Sequence, residues 1–412
     1  MFMLDGLSFE TLYCFFFLNI NHLHILSVGV MLYLIIRILC SKKFQLLLII
    51  LLNFRDMVNY MISIQVDDLP IDHLFGKSVV RNCRYILANL DYDESNTQNL
   101  ISHLVSRVGN HRKTQIFRSK ITGNKIIGKS YPKSYKIIRA LNFPLNREYL
   151  RKEYLAQVVG SDLHICPHGS IQQFVNFFTI HSDYNETTVW LLMLTNPQLL
   201  LHPYLEHHGF PVPQLFGMCG LTIFQEHVGP TLQHFYKANF EIKLRIAKQL
   251  LESALKFTNG FEGYRMYLTD LTADNLIYNE ERDKLFFIDL NTAFIVDSKD
   301  TIHKDGIDQH ENIECDDCFA FVPDRLCSYG ISDVNLLESC LFLHENLKRD
   351  RTGGFLKPIP ADITAKYPNL ETLLDSCVNG VIKTETESVE EMSRFLTTLK
   401  LIELFSDIFN EF

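Results

Sequence analysis

The sequence predicts an α+β protein in which a small strand-rich part with one key helix precedes a larger, mostly helical part. Three observations support this order. Residues 115–140 contain short apolar runs separated by glycine-containing turns, as strands do. Residues 240–257 repeat apolar side chains every three or four positions, as an amphipathic helix does. Residues 11–52 are almost wholly apolar and precede both parts, which indicates a membrane-directed segment.

The composition is that of a globular protein with a large core. Of the 412 residues, 47% are hydrophobic and 21% are charged, and the formal net charge is −9. Nucleic-acid phosphates are bound by clustered Lys and Arg, so this charge argues against a nucleic-acid partner. The length fits one large domain, or two smaller domains with additional segments.

The apolar N-terminus has the features of a targeting segment. Few polar residues interrupt 11–40, and a second apolar run at 44–52 follows the basic flank of Arg37, Lys42 and Lys43. The second run is shorter than the roughly 20 residues that span a bilayer, so it suits a signal peptide or a signal anchor. Basic flanks stay in the cytosol, which would send the rest of the chain into the secretory lumen.

Several arrangements of this segment stay open. Residues 25–40 span the membrane once, or the two apolar runs form a hairpin, or a chain that starts at Met31 carries a conventional signal peptide. A buried core helix is the remaining alternative, and the scarcity of polar residues for a solvated face argues against it.

Composition and pattern divide the chain into four regions. We expect a hydrophobic signal-anchor or transmembrane region at 1–54, a linker and N-terminal cap at 55–114, a strand-rich lobe with an insert at 115–225, and a helical lobe at 226–412. Within the third region, 135–141 is a strand candidate, and 145–159 is a helix that ends at Gly160, as expected for a C-cap. Residues 202–208, with three histidines, are predicted to form a solvated loop.

Three polar residues after the amphipathic helix have the spacing of a phosphoryl-transfer site. Asp270 precedes Asn275 by the spacing of a kinase catalytic loop, and Asp289 follows the apolar run 285–288. Asp270 would accept the proton of a substrate hydroxyl. Asn275 and Asp289 would offer hard oxygen ligands to a Mg²⁺ that bridges nucleotide phosphates. The alternative for this segment is an ordinary polar β-turn.

Several motifs occur in the order of a known family. They are Phe216-Gly-Met-Cys-Gly220 with Val228-Gly229, Tyr267-Leu-Thr-Asp-Leu-Thr-Ala-Asp-Asn275, Phe287-Ile-Asp289, Cys315-Asp-Asp-Cys318, Leu326-Cys327, Gly353-Gly354 with Pro358, and Leu373-Leu-Asp-Ser-Cys377. In these stretches, residues 80–400 resemble the divergent protein kinase domain family, in particular its deleted-in-autism branch. The resemblance implies a two-lobed protein-kinase-like fold in a Golgi-resident or secreted protein.

The resemblance also implies roles for individual residues. Asp270 falls at the catalytic-base position, and Asn275 and Asp289 fall at the metal positions, with ATP and Mg²⁺ or Mn²⁺ as the implied cofactors. Glu153, or alternatively Glu148, falls at the glutamate that forms an ion pair in the small-lobe helix.

The sequence departs from the family pattern around the nucleotide. The strand 135–139 aligns with the strand that carries the phosphate-binding lysine, and its nucleotide-binding position holds Arg139. Compared with lysine, the arginine side chain has a different reach and a forked arrangement of donors. A Gly-x-Gly-x-x-Gly loop is missing from the sequence. Gly123 and Gly128 are the nearest candidates for a close approach of backbone to phosphate.

The cysteines favour disulfides in an oxidising compartment. The candidates are Cys166, Cys219, Cys315, Cys318, Cys327, Cys340 and Cys377. Cys166 with Cys219 is one plausible bridge, and Cys327 and Cys340 lie near 315–318 for pairing. Together with Cys83 these are eight cysteines, which allow 105 connectivities. A zinc site at 315–318 is disfavoured because a second close cysteine pair is missing from the sequence.

Two functions remain open at this point. The first is a kinase-like enzyme of the secretory pathway, Golgi-bound or secreted, that phosphorylates luminal or secreted proteins. The second is a catalytically inactive pseudokinase that serves as a secreted or Golgi interaction module. The triplet Asn185-Glu186-Thr187 is a glycosylation acceptor and favours luminal exposure. The expected partners are the membrane, through the N-terminal segment, and secretory or extracellular proteins.

Overall fold

The structure is a computed structural model that describes residues 88–92, 113–130, 137, 141, 145–157, 162–219, 222–290, 292–300, 304–310, 323–346, 350–380 and 393–410. The chain divides into two units, Met1–Leu69 and Pro70–Phe412, and every described residue belongs to the second. The predicted membrane segment at 1–54 lies outside the described residues. Among the described helices, none has both the length and the apolar character needed to cross a membrane.

The described residues form strands and helices in a mixed order. In chain order the strands are β1 (Leu90–Tyr92), β2 (Lys113–Ser119), β3 (Lys125–Ser130), β4 (Leu163–Cys166), β5 (Leu215–Cys219), β6 (Thr222–Glu226), β7 (Tyr264–Leu268), β8 (Leu276–Asn279), β9 (Lys284–Phe287) and β10 (Ala293–Asp297). The α-helices are α1 (Arg147–Gln157), α2 (Ile171–His181), α3 (Glu186–Thr195), α4 (Gln198–His207), α5 (Phe240–Asn259), α6 (Pro323–Leu326), α7 (Val334–His344), α8 (Ala361–Lys366), α9 (Asn369–Asn379) and α10 (Arg394–Phe409). This content confirms the α+β prediction.

The first sheet is antiparallel and has the strand order β1-β2-β3-β6-β5. Successive side chains of a strand point to opposite faces. On one face, Ile126 and Phe224 pack with Phe117. Gly128 lies on that same face, where an added Cβ would come within 2.7 Å of the Phe117 ring. Lys129, the next residue of β3, therefore points from the opposite face.

Helices α1 to α4 lie between β3 and β5 in the chain. Helix α1 corresponds to the helix predicted over 145–159. It packs against α3, most of which is buried. Helix α3 begins after Asn185, whose Oδ1 accepts a hydrogen bond from the backbone N–H of Thr188 at 2.9 Å. Such a cap satisfies one of the free amide groups at a helix start.

The catalytic-loop segment lies between a small sheet and a hairpin. In the three-stranded sheet β4-β10-β7, β10 is parallel to β4 and antiparallel to β7. Strands β8 and β9 form an antiparallel hairpin in which Leu276 faces Phe287. The chain therefore passes from β7 through the loop 269–275 into the hairpin, and then through 288–292 into β10.

The helices of the second part pack around α5. This helix contacts α7 and α10, and it confirms the amphipathic helix predicted over 240–257. Asn239 caps its start by accepting from the N–H of Ile242, and it ends at Gly260, which has a φ of 69°. Helices α9 and α10 coincide with the helical predictions at 370–374 and 389–409.

Two local predictions are wrong. The strand predicted over 135–141 is contradicted by Ile137, which is helical and accepts a hydrogen bond from Leu141 N at 3.2 Å. The loop predicted over 202–208 is instead largely helix α4, and His202 is fully buried. Short apolar runs fit a strand or a buried helix equally well, so periodicity alone could not separate them.

Candidate functional site

A buried ion pair joins the first sheet to the segment after β9. Lys129 Nζ lies 2.9 Å from Asp289 Oδ1, and the two side chains are 9% and 4% exposed. Burial of both charges is costly unless each has a partner, so the structure must hold them in this geometry. The pair places an ammonium group and a carboxylate next to each other beneath the sheet.

The backbone at Asp289 has an unusual conformation for a residue with a side chain. Its φ is +64°, in the left-handed region that Asp tolerates better than most residues but still rarely adopts. Just before it, the N–H of Ile288 donates to the carbonyl oxygen of Asn275 at 2.9 Å. That bond ties the segment carrying Asp289 to the loop after β7, and such strain often accompanies functional sites.

The loop after β7 is closed by hydrogen bonds within itself. The Nδ2 of Asn275 donates to the carbonyl oxygen of Asp270 at 3.0 Å, and the N–H of Thr272 donates to the same oxygen at 3.2 Å. The side chain of Asp270 is exposed, whereas that of Asn275 is half-buried. Because Nδ2 is used by the loop, Oδ1 is the atom of Asn275 that is suited to a cation.

Helix α7 supports the strand that leads into this loop. Asn335 accepts a hydrogen bond from Leu268 N at 3.0 Å, and its Nδ2 donates to Met266 O at 2.9 Å and to Thr258 Oγ1 at 3.0 Å. All four residues are buried. One amide therefore fixes the end of β7 against both α5 and α7, immediately before Asp270.

One turn further along α7, a carboxyl group is buried next to the site. Glu338 is 3% exposed, and within the described part of the chain its Oε2 makes no hydrogen bond. Burial raises the pKa of Glu338 well above its ordinary value, and the charge of Asp270 raises it further. Both effects favour the neutral form of Glu338.

Comparison with known families now bears on this geometry. Residues 189–380 match the model of a family described as the protein-kinase domain of FAM69. That stretch includes Asp270, Asn275 and Asp289, which the structure brings together, and it confirms the family resemblance of the motifs. Over this stretch the chain is similar to divergent kinase-like proteins.

Curated relatives agree with this family. The chain is 28% identical over 230 residues to divergent protein kinase domain 2A of Xenopus tropicalis, covering 53% of each chain. It is 27% identical over 212 residues to the human protein of the same name, covering 48% of each chain. The chain thus spans about half the length of the curated relatives it matches.

Among solved structures, the chain is similar to vaccinia related kinase 3. The identity is 13% and the TM-score 0.30, over 72% of this chain and 83% of that chain.

Of the predicted nucleotide-site residues of the kinase-like domain, Asp270, Asn275 and Asp289 come together, as described above. Arg139 lies outside the described residues, so its predicted role stays a prediction. Glu153 is half-buried on α1 and Glu148 is exposed. The described contacts do not join either glutamate to the buried ion pair, and their predicted role also stays untested.

Lys129 is the residue that the sequence reasoning missed. It follows Gly128, which was expected to let backbone approach phosphate but instead leaves room for the Phe117 ring on the other face of β3. A sequence signal did exist, because Lys129 lies near the end of a short strand in which Ile126 and Gly128 point to the opposite face. Its partner Asp289 lies too far along the chain to be recognised from local pattern.

A buried histidine, His202, lies near Lys129. His202 on α4 donates from Nε2 to Pro213 O at 2.7 Å, and its Nδ1 is 3.3 Å from Gln198 Nε2. Burial lowers the pKa of His202 to about 4, the bond to Pro213 opposes this, and the charge of Lys129 lowers the pKa further. His202 is therefore neutral and adds no second positive charge beside Lys129.

The structure contains two disulfides among the described residues. Cys166 bonds to Cys327 and Cys340 bonds to Cys377, with Cα–Cα distances of 5.4 Å and 5.6 Å. The bridge expected between Cys166 and Cys219 is wrong, because Cys166 already has a partner. Pairing of Cys327 and Cys340 with cysteines near 315–318 is wrong for the same reason. Cys315, Cys318 and the Cys219 side chain lie outside the described residues.

The predicted glycosylation acceptor lies on the surface. Asn185 is exposed at the start of α3, and its Oδ1 accepts from both the backbone and the hydroxyl of Thr188. Its amide nitrogen is not part of that cap. The position is compatible with a glycan, and the modification stays a prediction.

Proposed function

We propose that the kinase-like domain binds a nucleoside triphosphate with Mg²⁺ or Mn²⁺ and transfers its terminal phosphoryl group to a protein hydroxyl. The observation that carries this proposal is the buried pair of Lys129 and Asp289 beside Asn275 and Asp270. Phosphoryl transfer depends mainly on positioning and on charge neutralisation, and these four side chains supply both signs of charge within one small region.

The donor atoms of the site suit a hard divalent cation. Asp289 offers carboxylate oxygens and Asn275 offers Oδ1, and oxygen ligands of this kind are preferred by Mg²⁺. A cation bound there would neutralise charge on the phosphates. Lys129 would contact phosphate oxygens as a point charge from the sheet above.

Asp270 has the role of proton acceptor in this proposal. Its side chain is exposed at the start of the loop, so a protein hydroxyl can reach it. Its backbone is held by Asn275 and Thr272, and the strand before it is held by Asn335. A carboxylate fixed in this way can orient the attacking hydroxyl and take its proton.

A thermal-shift titration with ATP and Mg²⁺ or Mn²⁺ tests nucleotide binding. We expect metal-dependent stabilisation of the wild type, and its loss in Asp289→Ala. Asp270→Asn should keep the stabilisation but lose phosphoryl transfer to protein substrates, because Asp270 acts on the hydroxyl. If the wild type gives no shift with any of several nucleoside triphosphates, the enzyme proposal fails.

The second candidate is a non-catalytic interaction module. The contact that favours it is the direct ion pair itself, because a carboxylate bonded to Lys129 must release it, at least in part, to bind a cation. Stabilisation by nucleotide without metal, and no phosphoryl transfer, is the outcome that favours this module.

We also propose that the protein acts in the secretory pathway. The support is the apolar segment at 1–54, the acceptor Asn185 and the two disulfides, which form and persist in oxidising compartments. Expression in cells with Asn185→Gln as the control should show a glycosidase-sensitive mass difference in the wild type alone. In microsomes, digestion of the intact kinase-like domain by added protease would contradict this location.

A further inference from the structure

Three potential metal ligands converge at the edge of the small sheet. One ring nitrogen of His164 and the sulfurs of Cys166 and Cys327 lie within 4.8 Å of one another. His164 and Cys166 are two residues apart on β4 and therefore share a face. Cys327 reaches them from the turn after α6. Within the described part of the chain this is the one cluster of His, Cys, Asp or Glu with such spacing.

We propose that these three side chains form a zinc site when the disulfide between Cys166 and Cys327 is reduced. Thiolate sulfur and imidazole nitrogen are the ligands that zinc prefers, at about 2.3 Å and about 2.0 Å. Two sulfurs on a tetrahedral zinc are then about 3.7 Å apart. Ligand atoms already within 4.8 Å need to move only slightly, and water fills the fourth position.

The two states exclude each other because both use the same sulfurs. A dithiol reductant would convert the disulfide to two thiols and would itself become a cyclic disulfide. Zinc binding then releases the two thiol protons, because only thiolates are ligands. Cys327 and His164 are half-buried, so a reductant and a metal ion can reach them, while Cys166 is buried.

The position of the cluster indicates what replacing the disulfide with zinc would do to the structure. Cys166 is paired with Val296 of β10, and Val296 is paired with Arg265 of β7. His164 is paired with Phe294, and their rings stack at 4.5 Å. A bound zinc would therefore keep β4 cross-linked to the turn after α6, next to the sheet that leads into the catalytic loop, when the covalent link is absent.

The second disulfide provides an internal control. Cys340 and Cys377 are fully buried, and within the described residues a third ligand does not accompany them. After reduction this pair lacks the imidazole that completes the first cluster. The proposal therefore predicts zinc binding at one of the two reduced pairs and none at the other.

The test uses the full chain in a Cys315→Ser/Cys318→Ser background, which removes another close cysteine pair. Protein that is oxidised, or reduced with a phosphine, is titrated with zinc alone and with cobalt as a spectroscopic probe. We expect one additional equivalent of zinc in the reduced form, with a thiolate-to-cobalt charge-transfer band. The reduced form of a Cys340→Ser/Cys377→Ser variant should still bind that additional equivalent of zinc.

Variants at the cluster decide the outcome. His164→Ala keeps the disulfide for folding, and its reduced form should bind zinc at least about tenfold more weakly. Cys166→Ser/Cys327→Ser should lose the equivalent and the charge-transfer band. Reduced protein that binds no additional zinc would overturn the proposal, as would His164→Ala protein with unchanged zinc affinity.

Discussion

Lys129 Nζ and Asp289 Oδ1 lie 2.9 Å apart in a part of the molecule that solvent hardly reaches. The lysine belongs to β3 and the aspartate follows β9, so one contact connects the first sheet to the segment that carries Asp289, one of the two proposed metal ligands. Two charges buried together are tolerated when each lies close to an opposite charge, and removal of one member takes that close partner away from the other. The stability of the fold and the chemistry of the site therefore depend on the same pair.

Lys129→Met and Asp289→Asn should each lower the free energy of unfolding by about 3–5 kcal/mol, because each removes one member of a buried ion pair. The double variant should lose less than the sum of the two single losses, since neither charge remains. Urea denaturation of the wild type, the two single variants and the double variant gives the coupling energy between Lys129 and Asp289.

A matched surface pair is the control for this cycle. Lys248 and Glu252 on α5 are 3.9 Å apart, with side chains 37% and 48% exposed. Lys248→Met should change the free energy of unfolding by less than about 0.5 kcal/mol, because water screens exposed pairs. Additive losses at Lys129 and Asp289 would mean that the contact does not contribute as an ion pair.

Asn335→Ala should destabilise the protein by about 3 kcal/mol, because Leu268 N loses its acceptor and Met266 O and Thr258 lose a donor inside the core. Thr258→Val removes one of these three bonds and should cost about 1 kcal/mol. Equilibrium denaturation measures both losses. Equal losses in the two variants would contradict the central role of the amide.

The buried carboxyl of Glu338 should make stability depend on pH. Its pKa in the unfolded chain is near the ordinary value of 4.5, and burial, aided by the charge of Asp270, raises it in the folded protein. Above pH 4.5 the unfolded state loses this proton while the folded state keeps it, so the group's contribution to stability falls as pH rises. The slope is about 1.4 kcal/mol per pH unit until Glu338 ionises in the folded protein.

Glu338→Gln removes this titration. Relative to the wild type, the variant should become progressively more stable from about pH 4.5 to neutral pH, as measured by urea denaturation at several pH values. Glu403→Gln on the exposed side of α10 is the control and should show a constant difference. A pH-independent difference between Glu338→Gln and the wild type would mean that Glu338 is not held neutral.

The sequence alone was sufficient to predict features that depend on neighbouring residues. The periodicity of α5 depends on neighbouring residues, and the helix lies where it was predicted. The spacing of Asp270, Asn275 and Asp289 is recognised from the sequence in the same way, and the roles of these three residues stay predictions. The strand predicted over 135–141 failed because its apolar run has no feature that excludes a helix.

Features that depend on contacts between distant parts of the chain could not be predicted from the sequence. Lys129 resembles any solvent-facing lysine in a strand until the position of Asp289 is known. The partner of Cys166 is Cys327, at a sequence separation of 161 residues, and pairing at that range is set by the fold rather than by spacing. His202 was placed in a loop because its burial comes from packing beside Pro213, which local composition does not indicate.

Gly260, between α5 and β7, should not tolerate a side chain. Its φ of 69° and ψ of −147° lie in a region that is essentially restricted to glycine. An added Cβ would also collide with the carbonyl oxygen of Tyr264 and lie 2.7 Å from Arg265 Cα, both in the backbone that starts β7. Gly260→Ala should therefore lower the free energy of unfolding by at least about 3 kcal/mol.

Gly123 separates the two causes of this loss. It also has a positive φ, of 73°, but an added Cβ there would meet no heavy atom within 4 Å. Gly123→Ala should cost about 1 kcal/mol from backbone strain alone. The difference between the two variants in thermal and urea denaturation measures the collision with β7, and similar losses would show that β7 moves aside to accommodate the methyl group. In that case the strand before Asp270 would be less rigid than its contacts with Asn335 imply.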